Sequence, residues 1–131
     1  MKDKTVLFIC KGNSGRSQMA QAIFSCSSKG WKAMSAGTNP DEKIHPWTVE
    51  VMKEIQIDVS QKKPRLLTFE MLEKADKVIV MDSEVLKEIP PKYLSKVEDW
   101  KIGKLLGKSI EEIREIRDEI KKKVEKLLEE L

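Results

Sequence analysis

The sequence predicts a single-domain α/β fold in which a four-stranded parallel sheet carries helices on both faces. Short apolar runs rich in β-favouring residues alternate along the chain with segments of helical hydrophobic spacing. Such alternation is typical of parallel sheets, whose two faces are covered by the connecting helices. At 131 residues with 40% hydrophobic content, residues 1–131 suit one domain with its own core.

The first half of the chain contains two predicted strands and two predicted helices. In order, these are strand Thr5–Cys10, helix Ser17–Ser28, strand Lys32–Ser35 and helix Pro46–Ile55. The first strand is a continuous apolar run of the kind found in buried strands. In the first helix, Met19, Ile23 and Cys26 recur at helical spacing. Pro46 suits the first turn of the second helix, where its missing N–H costs nothing.

The second half contains three predicted helices and two predicted strands. They are helix Leu66–Lys74, strand Lys77–Met81, helix Ser83–Glu88, strand Lys96–Asp99 and helix Ser109–Leu131. Thr68 is a suitable N-cap for the first of these helices, with Met71 and Leu72 facing inward. Pro90 and Pro91 end the short helix before the fourth strand.

The last helix has an apolar stripe at a spacing of three or four residues. Its members are Ile110, Ile113, Ile116, Ile120, Val124, Leu127 and Leu131. The stripe could form a coiled-coil seam between two chains. We interpret it instead as the face that packs on the sheet, as in most amphipathic helices of globular proteins.

The octapeptide Cys10–Ser17 joins the first strand to the first helix and carries the strongest functional signal. Cys10 ends the strand and faces the start of the helix, where several backbone N–H groups lack partners. These groups and the positive end of the helix dipole favour a bound oxyanion. The same field stabilises a thiolate, which is the nucleophilic form of cysteine. The loop therefore predicts a tetrahedral oxyanion ligand and attack on it by sulfur.

The small residues of this loop suit an anion site. Gly12 and Gly15 permit the positive φ angles that turn successive N–H groups inward. Asn13 tolerates left-handed backbone geometry and can hydrogen-bond neighbouring groups, so we expect it to hold the loop rigid.

Arg16 and Ser17 complete the predicted site. The planar guanidinium of Arg16 can bind two phosphoryl oxygens at once. Ser17 can cap the helix and donate its hydroxyl to the Cys10 thiolate. Cys10, Arg16 and Ser17 are the candidate catalytic residues, and the candidate oxyanion-binding residues are Lys11, Gly12, Asn13, Ser14, Gly15 and Arg16.

The segment Val6–Ala20 resembles the signature of the low-molecular-weight protein-tyrosine phosphatases and the related thioredoxin-coupled arsenate reductases. Further similarity occurs at Ser35–Thr38, at His45–Pro46 with the residues that follow, and over Glu98–Trp100 and Gly107–Glu112, so that it covers nearly the whole chain. The resemblance implies the low-molecular-weight phosphatase fold, which is flavodoxin- or Rossmann-like. It also implies hydrolysis of phosphate monoesters, phosphotyrosine above all, through a phosphocysteine at Cys10, with inorganic phosphate or arsenate as ligand or inhibitor. No metal or organic cofactor is implied.

The chain departs from the phosphatase pattern at the general acid. The resemblance places an Asp-Pro pair shortly after Trp100, but Lys104 and Leu105 stand there. General acid catalysis contributes about 10²–10⁴-fold, so we expect weak turnover of esters with poor leaving groups. Asp99 could substitute as the acid, or Lys104 could neutralise charge on the leaving oxygen.

The chain also departs from the arsenate reductases, which pass oxidation along a relay of cysteines. Their additional pair follows the third strand, where Met81–Glu88 holds no cysteine. The second of the two cysteines, Cys26, is interpreted as a core thiol on the inward face of the first helix. Two alternatives to a phosphatase therefore stay open. One is an oxyanion-binding protein with little turnover, and the other is a diverged arsenate reductase that uses an external thiol.

Composition limits the other classes of function. The formal net charge is only +3, from 25 Lys and Arg against 22 Asp and Glu, which gives no case for nucleic-acid binding. No apolar run approaches the ~20 residues of a membrane span, and no signal-peptide core is found at the N-terminus. We therefore expect no membrane partner and a cytoplasmic location.

Two groups of side chains lie outside these patterns. His45 is interpreted as a loop residue because it precedes a helix-starting proline. Trp47, Tyr93 and Trp100 can either line a pocket for an aromatic substrate or pack in the core or on the surface.

Overall fold

A computed structural model of the chain describes residues 4–27 and 30–131. Within these residues, four parallel strands form one sheet in the order β2-β1-β3-β4. The strands are β1 (Thr5–Cys10), β2 (Lys32–Gly37), β3 (Lys77–Val80) and β4 (Val97–Asp99). The predicted fold class is confirmed, with all four strands displaced by no more than two residues at either end.

β1 lies at the centre of the sheet and sets its register. It pairs with β2 from Thr5↔Lys32 to Cys10↔Gly37 and with β3 from Val6↔Lys77. Its five residues from Val6 onward are buried, as the apolar run predicts. The chain leaves β1 towards β2 and leaves β3 towards β4, so it departs from these two neighbouring strands in opposite directions. This opens a crevice at the carboxyl end of β1, which is where ligands bind in open α/β sheets.

Among the described residues, five α-helices and a short 3-10 helix accompany the strands. They are α1 (Arg16–Ser25), α2 (Pro46–Lys53), α3 (Phe69–Lys74), α4 (Ser83–Leu86), the 3-10 helix Pro91–Lys96 and α5 (Ile110–Glu130). Thr68 caps α3 as predicted, since its Oγ1 accepts a hydrogen bond from the N–H of Met71 at 3.2 Å. The 3-10 helix was not predicted, because six residues that begin with proline carry no helical periodicity.

The first helix differs from its prediction at both ends. It begins one residue earlier, at Arg16, and ends at Ser25 with Cys26 as its C-cap. The predicted end, Ser28, lies outside the described residues. Because the helix stops before Cys26, this residue does not continue the inward face. Cys26 is exposed, so its interpretation as a core thiol is wrong.

The helices cover the sheet on both faces, as predicted. On one face, α1, α2 and α5 bury a cluster around Phe8, whose ring contacts those of Phe24 and Trp100 at centroid distances of 6.0 and 5.7 Å. On the other face, α3, α4 and the 3-10 helix pack on Leu7 and Ile9. The alternation of β1 side chains between the two clusters fixes the position of Cys10 at the strand end.

α5 packs on this core through its apolar stripe. Ile113, Ile120 and Val124 are fully buried, and Leu127 is nearly so. This confirms the stripe as a docking face. No helix within residues 4–27 and 30–131 is long and apolar enough to span a membrane.

An ion-pair cluster ties α5 to the end of α2. The carboxylate of Glu54 accepts hydrogen bonds from Arg114 at 2.7–3.0 Å and from Arg117 at 2.7 Å. Arg117 is buried and also donates to the carbonyl of Val51 at 2.9 Å. The hydrogen bonds from Arg114 hold the pKa of Glu54 below its usual range, with Arg117 adding to the effect and desolvation opposing it.

We expect Glu54→Gln to destabilise the fold at neutral pH, because the amide cannot pair with the two guanidinium groups. A carboxyl whose pKa is lowered by folding stabilises above its unfolded pKa of about 4.3 and loses that effect as pH falls through its folded pKa. The difference in unfolding free energy between wild type and variant is therefore full at pH 7 and shrinks below about pH 4. Urea unfolding at several pH values measures it. Glu129→Gln, which changes an exposed carboxylate on α5, is the control; an equal effect there would contradict the prediction.

Candidate active site

The anion loop, Cys10–Arg16, is held by backbone hydrogen bonds from the segment that follows β2. Four loop carbonyls accept backbone N–H groups from residues 38–45. The pairs, donor first, are Thr38 with Cys10, Asn39 with Lys11, Asp41 with Gly12, and His45 with Ser14, at 2.9–3.2 Å. Since the C=O and N–H of a peptide unit point in opposite directions, the N–H groups that follow these carbonyls face inward. The predicted anion nest requires this inward direction of the N–H groups.

Close approach of the two segments depends on Gly37. A Cβ at this position would lie 2.5 Å from the carbonyl oxygen of Lys11 and 3.0 Å from the backbone nitrogen of Asn13. Both are backbone atoms of the anion loop, so a side chain here would displace the loop itself. Glycine at the end of β2 therefore sets how near the sheet edge and the loop can come.

The positive φ angle of the loop falls on Asn13 and not on the glycines. Asn13 has φ of 50°, whereas Gly15 has φ of −143°. The expectation that Gly12 and Gly15 supply positive φ is therefore wrong, and the expectation for Asn13 is confirmed. Gly15 instead provides space, because a Cβ there would collide with Cδ1 of Leu105.

A directed chain of hydrogen bonds ends at the sulfur of Cys10. The backbone N–H of Arg65 donates to Oδ1 of Asn13 at 2.9 Å, which fixes the orientation of that amide. Nδ2 of Asn13 then donates to Oγ of Ser17 at 2.7 Å. The hydroxyl hydrogen of Ser17 is left to donate to Sγ of Cys10, 2.9 Å away. The N–H of Asn13 donates to the same sulfur at 3.2 Å. Two polar groups therefore contact one buried sulfur.

Ser17 plays one of its two predicted parts. Its hydroxyl lies against Cys10 as expected, but the N-cap of α1 is Gly15, without a side-chain cap. The prediction of Ser17 as a cap is wrong because its oxygen is already occupied by Asn13 and Cys10. This leaves the first turn of α1 with N–H groups directed towards the loop.

Arg16 is held along one edge of its guanidinium. Nη1 donates to the carbonyl of Ile102 at 2.8 Å and lies 2.8 Å from Oδ2 of Asp82. The second contact is an ion pair without hydrogen-bond alignment, since Oδ2 is buried and accepts no hydrogen bond among the described residues. In the same part of the chain, no acceptor engages Nε or Nη2 of Arg16. The free edge can bind an oxyanion while Asp82 and Ile102 hold the group in place.

A cavity of about 290 Å³ opens over the anion loop. Besides the loop, it is lined by Asp41, His45, Lys104, Leu105 and Leu106. Asp41 was missed by the sequence reasoning, since nothing in its neighbourhood marks it. Its Oδ2 accepts the hydroxyl of Ser14 at 2.5 Å. His45 was interpreted as a loop residue, and it caps α2 through Nδ1, which accepts the N–H of Trp47 at 3.1 Å.

Lys104 lies at the cavity, where the resemblance places the general acid. Its Nζ is 3.0 Å from Oε2 of Glu84 on α4, and both side chains are more than half exposed. The hydrogen bond from Lys104 lowers the pKa of Glu84. Glu84 is therefore ionised at neutral pH and a poor proton donor.

Asp99 does not line the cavity. Its Oδ2 accepts the hydroxyl of Ser83 at 2.6 Å and its Oδ1 accepts the N–H of Lys101 at 2.9 Å. This placement argues against Asp99 as the substitute acid. Tyr93 and Trp100 are buried in the two cores and do not line the cavity. Trp47 is half-exposed and does not line it either.

The family model for "Low molecular weight phosphotyrosine protein phosphatase" matches residues 5–131. The chain belongs to this family. It is 36% identical over 129 residues to the arsenate reductase of Staphylococcus aureus strain N315, covering 96% of this chain and 97% of that protein. The low-molecular-weight phosphatase of T. tengcongensis shares its fold with a TM-score of 0.88 and 32% identity, over 98% of this chain and 99% of that one.

A solved family member that is described as an arsenate reductase in the phosphate-binding state is also similar. Its TM-score is 0.85 at 30% identity, over 97% of this chain and 98% of that one. The family thus includes phosphatases and arsenate reductases, and both work on tetrahedral oxyanions. The resemblance stated from the sequence is confirmed at the level of the family.

We expect Ser17→Ala to slow alkylation of Cys10 by iodoacetamide at pH 7. A hydrogen bond to a charged group contributes about 1.5–3 kcal/mol, so its loss lowers the rate by about tenfold or more. All proteins carry Cys26→Ser, so that Cys10 is the one thiol that can be alkylated. Mass spectrometry measures the rate at which the alkylated protein forms. Ser35→Ala removes a buried hydroxyl that bonds to Gln21 and serves as the control. Equal rates in all three proteins would show that Ser17 does not stabilise the thiolate.

Gly37→Ala is expected to weaken both the fold and oxyanion binding, because its methyl group would overlap the backbone of the anion loop. Overpacking of this kind costs about 1–3 kcal/mol, which thermal unfolding measures. Vanadate binding, followed by protection of Cys10 from alkylation, should weaken in parallel. Gly103→Ala is the matched control, since a Cβ there meets nothing within 4 Å. Unchanged vanadate binding in Gly37→Ala would contradict the proposed constraint.

Proposed function

We propose that this protein is a cysteine-dependent phosphate-monoester hydrolase of the protein-tyrosine-phosphatase type. The single observation that carries the proposal is the contact of Sγ of Cys10 with the hydroxyl of Ser17 and the N–H of Asn13, within a loop whose carbonyls are bonded to residues outside it. This arrangement stabilises a thiolate directly beneath a site for a tetrahedral oxyanion. Family membership supports the same chemistry.

The nucleophile in this proposal is the thiolate of Cys10, which attacks phosphorus in line with the departing oxygen. A phosphocysteine forms and is hydrolysed by water, which regenerates the thiolate. Ser17 and Asn13 act on the sulfur by hydrogen bonding and so position and stabilise it.

Stabilisation of the transferring phosphoryl group falls to the loop N–H groups and Arg16. These donors surround the equatorial oxygens, where they are fixed before substrate binds. Asp82 and Ile102 hold one edge of Arg16, which leaves its other edge for two oxygens. Lys11, exposed on the same loop, adds positive potential at the entrance.

The departing oxygen has no ordinary acid beside it in this proposal. Lys104 occupies that part of the cavity and is paired with Glu84. It can stabilise a negative charge on the leaving group. Turnover is therefore expected to be strongest for esters of acidic phenols.

A second candidate is an arsenate reductase that uses an external thiol, which the 36% identity to the Staphylococcus aureus enzyme favours. Reduction of arsenate to arsenite needs two electrons, which two thiols supply as they form a disulfide. Cys26 follows the ten-residue helix α1, so about 15 Å separates it from the anion loop. A bond between Cys10 and Cys26 is out of reach, and the reductant must come from outside the chain.

Hydrolysis of 4-nitrophenyl phosphate by wild type and Cys10→Ser tests the proposal. The expected result is turnover by wild type that Cys10→Ser lacks, with trapping of a phosphocysteine in acid-quenched wild type. Release of arsenite from arsenate is measured in parallel with added glutathione or dithiothreitol. Arsenite release that depends on Cys10 would favour the second candidate. Equal hydrolysis by both proteins, with phosphate still bound, would leave an oxyanion-binding protein.

Lys104→Asp is expected to raise kcat/KM for phenyl phosphate by about tenfold or more, since a carboxyl can protonate the phenolate oxygen. For 4-nitrophenyl phosphate, whose leaving group is more acidic, the gain should be small. Lys108→Asp makes the same charge change on the same loop, outside the residues that line the cavity. An equal gain in both variants would point to net charge and contradict a role for position 104.

A further inference from the structure

The charged groups that line the cavity over Cys10 are mostly cationic, which favours stabilising an anion over protonating it. Its charged lining consists of Lys11, Arg16 and Lys104 against one carboxylate among the described residues, Asp41. One oxygen of that carboxylate, Oδ2, already accepts the hydroxyl of Ser14 at 2.5 Å. The cavity therefore offers a departing oxygen positive charge and not an acid.

The carboxylate next to Lys104 does not change this conclusion. Glu84 lies 3.0 Å from Nζ of Lys104, and this contact keeps the pKa of Glu84 low. The ion pair also orients the ammonium group, since Glu84 projects from α4 while Lys104 belongs to the loop before α5. To contact a substrate, Lys104 would have to give up its ion pair with Glu84. Because that pair is exposed, breaking it costs little free energy.

The missing acid restricts the leaving groups that the site can expel. Phenols have a pKa of about 10 and carboxylic acids of about 4. An unprotonated phenolate is therefore a poor leaving group, whereas a carboxylate departs readily as an anion. The ~10²–10⁴-fold contribution of a general acid is needed for the first and not for the second.

We propose that the substrates of this site are acyl phosphates, the mixed anhydrides of a carboxylic acid and phosphoric acid, with Lys104 facing the departing carboxylate. The inference rests on the proposed phosphocysteine chemistry of Cys10 and narrows its substrate class. Leu105 and Leu106, which also line the cavity, give the acyl group an apolar wall.

The two steps balance without any further reactant except water. In the first, the Cys10 thiolate forms an S–P bond as the P–O bond to the acyl group breaks, and the electron pair leaves with the carboxylate. In the second, water adds to phosphorus as the S–P bond breaks, which gives the thiolate and dihydrogen phosphate. The acyl carboxylate needs no proton at any point.

Three substrates test the proposal: acetyl phosphate, 4-nitrophenyl phosphate and phenyl phosphate. We expect kcat/KM to fall in that order, with acetyl phosphate about 10²-fold or more above phenyl phosphate. Cys10→Ser supplies the correction for spontaneous hydrolysis of acetyl phosphate. The parameter kcat/KM is used because it reports the step in which the leaving group departs, whichever step limits kcat.

Two variants examine the role of charge at the leaving group. Lys104→Met should lower kcat/KM for acetyl phosphate by about tenfold, whereas Lys108→Met, outside the cavity lining, should not. Asp41→Asn should change the ratio between acetyl phosphate and phenyl phosphate little. A selective loss of phenyl phosphate hydrolysis in Asp41→Asn would identify Asp41 as a general acid and overturn the proposal.

Different results would contradict the acyl phosphate proposal and the proposed phosphatase function of Cys10. If 4-nitrophenyl phosphate is hydrolysed through Cys10 but phenyl phosphate is turned over as well as acetyl phosphate, the substrate class is wrong and the hydrolase stands. If no substrate is hydrolysed in a Cys10-dependent manner, both are wrong.

Discussion

The site depends on backbone hydrogen bonds that the anion loop receives from outside itself. Four of its carbonyls are engaged by the segment after β2, so the opposite N–H groups face the place where an oxyanion binds. Gly37 makes the contact possible by leaving the space that a side chain would fill. The register of β2 on β1 therefore determines the electrostatics of Cys10.

The features that were predicted correctly are those that depend on residues close together in the chain. The strands follow from apolar runs, and the cradle at Cys10 follows from residues adjacent in the chain. Asn13, Ser17 and Cys10 lie within one loop and one helical turn, and their contacts were largely foreseen. The anchors were not foreseen, because they come from distant segments. Arg65 holds Asn13 from 52 residues away, and no pattern marks a backbone N–H as important.

The two errors at α1 share a cause. Helical spacing alone extended the helix through Cys26 and began it at Ser17, but hydrogen bonding decides both ends. Ser17 is engaged by the sulfur and by Asn13, so it cannot cap. Cys26 is the residue at which the helix stops, and there the hydrophobic pattern no longer indicates which way a side chain faces. The error over Gly12 and Gly15 is different, since hydrogen bonds of the Asn13 amide stabilise at Asn13 the positive φ that was expected of these glycines as well.

The hydrogen-bond chain from Arg65 through Asn13 and Ser17 has a direction. Because of this direction, two side chains of equal size at position 13 can have different effects on Cys10. Asparagine and aspartate have almost the same volume, so any account based on packing would treat them as equivalent at position 13. A carboxylate there would accept from Ser17 where the amide now donates, and the serine hydrogen would turn away from the sulfur. Asn13→Asp would thus remove one of the two hydrogen bonds to the sulfur of Cys10 with almost no change in side-chain volume.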